Sequence, residues 1–120
     1  MSAKESRAAS IIEFNEGKLW FQKKSGVVTI GITLAALDEI GDVEDIDLPS
    51  EGDDVDKDDI LCEISGADGV IKVYAPAAGF VTAVNEPLKE DVEILNEDPI
   101  DEGWLVKLEI QDESDLKEYL

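Results

Sequence analysis

The apolar residues of this chain fall in short β-branched or aromatic runs, each closed by a turn signal at a spacing of roughly 8 to 12 residues. That rhythm leaves little room for long helices and calls for strands that pair with near neighbours. Leu19-Trp20-Phe21-Gln22 and Val27-Val28-Thr29-Ile30-Gly31-Ile32 flank Lys24-Ser25-Gly26 and read as a hairpin. Ile60 to Ile64 and Val70 to Tyr74 read as a second hairpin. Its tip is Ser65-Gly66-Ala67-Asp68-Gly69, because Asp-Gly tolerates the positive φ that such turns need. Phe80 to Val84 follows the turn Pro76-Ala77-Ala78-Gly79, and Trp104 to Ile110 is the last strand. Pro49 to Asp54 reads as a loop.

Helical signals are brief. Thr33 is placed as an N-cap ahead of Leu34, Leu37 and Ile40, and Gly41 falls where a left-handed cap is wanted. Leu88, Val92 and Leu95 carry a second helical spacing behind Pro87, and Asp112 to Leu120 reads as a capped acidic terminal helix. The class that fits is mainly β, a sandwich or flattened barrel with small helical additions. Residues 1–12 read as a flexible tail and 13–120 as one domain of ordinary size.

Charge and missing residue types narrow the function. Thirty Asp and Glu against ten Lys and Arg leave a formal charge of -20. Phosphate backbones and anionic lipid repel such a body, so neither nucleic acid nor a membrane surface is an expected partner, and basic protein surfaces are. The chain has no His, which removes imidazole bases, Ser-His pairs and His metal ligands together. Polar MSAKESRAAS followed by only Ile11 and Ile12 offers no signal-peptide core, and no stretch has transmembrane length. A cytoplasmic, reducing setting is expected.

Three motifs invite chemistry and lose to simpler readings. Asp54 to Ser65 has oxygens where a calcium loop begins, but Asp59 stands where a Gly is required and Ser65 where a bidentate Glu is required. No metal site is expected. Cys62 alternates with Ile60 and Ile64, which puts the three on one strand face and makes the thiol an inert core residue. Paired carboxylates are everywhere and single out nothing. From the residues alone, the chain is an acidic, β-dominated binding or carrier domain without an active site of its own.

An ordered set of fragments then resembles the glycine cleavage system H-protein family. They are Trp20, Ile30-Gly31-Ile32-Thr33, Ile40-Gly41-Asp42-Val43, Leu48-Pro49, Gly52-Asp53, Tyr74-Ala75-Pro76 with Gly79, Val84-Asn85, Leu95-Asn96-Glu97-Asp98-Pro99 and Glu102-Gly103-Trp104. The resemblance implies a lipoyl-domain-like fold, a barrel-sandwich hybrid of two small antiparallel sheets with short helices and a C-terminal helix. It also implies a shuttle, in which a lipoyl group on one lysine at a hairpin tip carries an aminomethyl group between enzymes. In the family that lysine lies eight residues before the Pro of the Tyr-x-Pro turn, within Glu-Ser-Val-Lys-Ala; here that position is Asp68, preceded by Ser65-Gly66-Ala67.

Two more departures fall at positions the resemblance assigns to the arm-binding cleft. Leu19 replaces a glutamate before Trp20, and Lys72 replaces an aspartate four residues beyond the attachment position. The expected function is therefore a non-lipoylated, docking or regulatory homologue with no bound cofactor. Its expected partners are enzymes of glycine cleavage or lipoate metabolism, met through their basic surfaces. The competing reading is a working lipoyl carrier modified at Lys72.

Overall fold

The computed structural model describes residues 11–24 and 26–119. Among the described residues, nine strands form two antiparallel sheets. In the larger, β1 (Ile12–Phe14), β2 (Leu19–Lys24), β3 (Val27–Ile32), β9 (Val106–Ile110), β8 (Gly79–Val84) and β5 (Asp54–Val55) lie in that spatial order. In the smaller, β6 (Ile60–Gly66) is flanked by β4 (Val43–Asp47) and β7 (Gly69–Tyr74). The helical pieces are α1 (Leu34–Ile40), α2 (Pro87–Glu90), α3 (Glu93–Glu97) and a 3-10 helix over Glu113–Tyr119.

Both expected hairpins form. Leu19 pairs with Ile32 and Lys24 with Val27, and Gly26 adopts φ +80° beside Ser25, which lies outside the described residues. The expected tail is untested over residues 1–10, which also lie outside them, but Ile12 already belongs to β1 and pairs with Phe21. Asp54 and Val55, at the end of the expected loop, pair with Phe80 and Gly79 as β5. The apolar spacing Leu88–Val92–Leu95 gives two short helices rather than one, because Asp91 takes an extended conformation (φ −143°) between them. The terminal helix is 3-10 rather than α, with Asp112 Oδ1 accepting from the Ser114 N–H at 2.9 Å as its cap; Leu120 lies outside the described residues.

The core lies between the sheets. Phe21, Ile30, Ile32, Ile64, Val73, Leu105 and Leu108 are fully buried within it. Each such side chain contributes on the order of 1.5–3 kcal/mol by leaving water. Phe14, Phe21 and Tyr119 pack edge to face and fasten the 3-10 helix to β1 and β2.

Candidate functional site

The β6–β7 hairpin is the element on which the expected site stands or falls. Its ladder runs from Ile60↔Tyr74 through Glu63↔Lys72 and Ser65↔Val70 to Gly66↔Gly69, leaving Ala67 and Asp68 as a two-residue turn. Both turn residues are exposed, and neither they nor Gly69 have positive φ. The turn thus forms where the Asp-Gly pair implied, but without the left-handed conformation expected of it. What holds the tip is a neighbouring corner of the chain: the Asp68 N–H donates to Ile40 O (2.7 Å) and the Ala67 N–H to Asp42 O (3.0 Å).

That corner is built by α1. Thr33 caps its start, with Oγ1 accepting from the Ala36 N–H (3.3 Å) and donating to Gly17 O (2.7 Å). Gly41 ends it at φ +76°, with its N–H donating to Leu37 O. The carboxylate of Asp68 lies directly over Gly41, since a Cβ there would stand 2.7 Å from Oδ2. Gly66 is required by the same approach, because a Cβ on it would meet the Ile40 carbonyl oxygen at 2.4 Å.

Beside the tip, Asn15, Lys18, Glu39, Asp68, Lys72 and Tyr74 help to line a cleft of about 430 Å³. Lys18 and Glu39 form an ion pair across it at 3.0 Å, and the hydrogen bond and charge of Glu39 raise the Lys18 pKa. Lys72 is exposed on the outer face of β7, opposite Glu63, and its ammonium is in no ion pair among the described residues. Asp68 and Lys72 therefore share one cleft. Leu19 does not: it is fully buried in the core, and Lys18 is the residue of that strand's approach that reaches the cleft.

The remaining candidates fall away from chemistry. Cys62 is buried, and desolvation, followed by the charge of Asp47, pushes its thiol pKa well above the ordinary range. Ile60 is not on the Cys62 face as alternation implied. A register shift between Ile60 and Cys62 turns it outward, 48% exposed, and Leu61 is buried instead. The acidic run near Asp53 serves turns: Asp53 Oδ2 accepts from the Ser50 N–H at 3.1 Å and Asp59 Oδ2 from the Asp56 N–H at 2.9 Å. Among the described residues, no group of His, Cys, Asp or Glu is placed to hold a metal ion. No helix there is long and apolar enough to cross a membrane.

Sequence reasoning missed the turn from Asp98 to Trp104. Asp98 Oδ1 accepts from the N–H groups of Ile100 and Asp101, and the buried Asn85 donates from Nδ2 to Glu102 O (2.9 Å) and Trp104 O (2.7 Å). Reading Trp104 as the first residue of a strand concealed this; the strand begins at Val106.

Two antiparallel sheets closed over one core, with an exposed hairpin tip held by an α-helical corner, define the class: a barrel-sandwich hybrid of the lipoyl-domain type. The solved H protein of the glycine cleavage system from Mycobacterium marinum has this fold, with a TM-score of 0.77 over 91% of this chain and 95% of that one, at 22% identity. The family model for the glycine cleavage H-protein matches residues 12–120, and the chain belongs to that family. The glycine cleavage system H protein of Thermotoga maritima is 41% identical over 101 residues, 84% of this chain and 82% of that one. That of Listeria monocytogenes is 40% identical over 107 residues, 89% of this chain and 86% of that one. Members of the family carry lipoate covalently and are carriers rather than enzymes with their own active site.

Proposed function

We propose that this chain is a glycine cleavage H-protein homologue that carries no lipoate and retains docking. The observation that carries the reading is Asp68 at the exposed hairpin tip, where the resemblance puts the attachment lysine. Lipoate is joined through its own carboxyl group to an amine, and two carboxyl groups do not make an amide. The tip is also stripped of the motif glutamate, with Ser65 in its place, and Lys72 brings a positive charge to a cleft that would have to receive a cationic arm. The held backbone of the tip supports retention of the docking shape. Basic surfaces on glycine cleavage or lipoate-metabolism enzymes are the partners that the charge of -20 favours.

Intact mass after incubation with lipoate, ATP and a lipoate ligase tests the reading. The chain is expected to keep its unmodified mass. A gain of roughly 190 Da mapping to Lys72 would replace this reading with that of a working carrier whose attachment site has moved.

A further inference from the structure

A second cleft, of about 420 Å³, is walled by Pro87, Ile94, Glu97, Glu102 and Trp104, with Asn85 and Asp98 in its frame. Its shape is fixed before any ligand arrives, because Asn85 and Asp98 hold the surrounding turn by the four hydrogen bonds described above. Three properties meet in it. Ile94 and Pro87 supply apolar wall, Trp104 supplies a partly exposed indole, and the exposed Glu97 and Glu102 supply two carboxylates that form no ion pair among the described residues. The indole already attracts a cation, with Lys107 Nζ 5.0 Å from its centroid, yet Lys107 is not one of the residues walling the cleft.

We propose that this cleft seats an arginine side chain presented by a partner protein. A guanidinium is planar and weakly hydrated, so it lies against an indole and meets carboxylates with little desolvation cost. Its methylene stem matches the apolar wall of Ile94 and Pro87. The strongly negative body attracts basic protein surfaces and disfavours anionic ones. The inference sharpens the docking half of the proposed function and is independent of the fate of Asp68, so a mass result and a failure here are separate outcomes.

The test is an NMR titration of the full chain with a blocked Gly-Arg-Gly tripeptide, following the Trp104 indole N–H. Trp20, fully buried, is the internal reference. The Trp104 resonance is expected to shift saturably with this peptide and not with its citrulline counterpart. The double variant Glu97→Gln/Glu102→Gln should weaken binding at least about fivefold. The variant Glu44→Gln/Glu51→Gln, which removes the same charge from exposed positions elsewhere, should change it less than about twofold. A Trp104 resonance that stays still would overturn the proposal. So would equal weakening by the two variants, which would show only diffuse attraction to an acidic body.

Discussion

The β6–β7 tip and the Asp98–Trp104 turn are both tight surface segments, but they are held by opposite means. At the tip, main-chain N–H groups of Ala67 and Asp68 reach the carbonyls of Asp42 and Ile40, and the Ala67 and Asp68 side chains are left exposed. At the turn, side chains do the holding, through Asp98 Oδ1 and Asn85 Nδ2. The lesson is that residue identity is dispensable for shape at position 68 and indispensable at position 85. A tip held through its main chain keeps its shape whichever side chain stands at position 68.

Five substitutions, at four positions, put that contrast at risk. Asn85→Ala should have the largest effect, because it removes a buried side chain and strips two part-buried carbonyls of their donor; a loss of about 3 kcal/mol in urea unfolding is expected. A loss below about 1 kcal/mol would mean that water substitutes for the amide and that the turn does not depend on it. Gly66→Ala comes next, at about 2 kcal/mol, since its new methyl group meets the backbone oxygen of Ile40. Gly69→Ala, with only the Ile40 methyl 3.8 Å away, serves as the mild partner in the same melt. Equal effects would show that the approach of hairpin to α1 is not what makes Gly66 necessary. Asp68→Asn and Asp68→Lys should have the smallest effect, within about 0.5 kcal/mol, because residue 68 contributes its backbone and not its carboxylate to the turn. A shift of many degrees in Tm for Asp68→Asn would reveal a specific partner for the carboxylate and end the contrast.

Much of this architecture was legible where the determining interactions are local. The β2–β3 and β6–β7 hairpins follow from runs separated by turn residues, and α1 from a Thr33 cap and a Gly41 stop that both form as the sequence implies. β1 and β5 were not legible, because three and two residues carry no periodicity of their own and become strands only by pairing with β2 and β8. Ile60 was misplaced because a register shift breaks strict alternation, and such a shift arises from the pairing of two strands rather than from either one. At the candidate site, Asp68 and Lys72 line one cleft. Leu19 does not, because its apolar character sends it inward and leaves Lys18 to line the opening. The Trp104 cleft was invisible in the chain order, since Asn85, Glu97 and Trp104 meet only through the folded turn.

The anchoring of the tip on Ile40 and Asp42 also has a consequence in time. A hairpin of this size closes its own ladder within about 1–10 μs, since that step draws on neighbours in the chain. The Asp68 amide, however, finds its acceptor, Ile40 O, only when the end of α1 has docked. Fraying of that helix would release the Asp68 amide while the rungs from Glu63↔Lys72 to Ser65↔Val70 remain zipped. Solvent hydrogen exchange at Asp68 therefore reads the opening of α1, and the tip behaves as a latch worked from a different part of the fold than the strands that carry it.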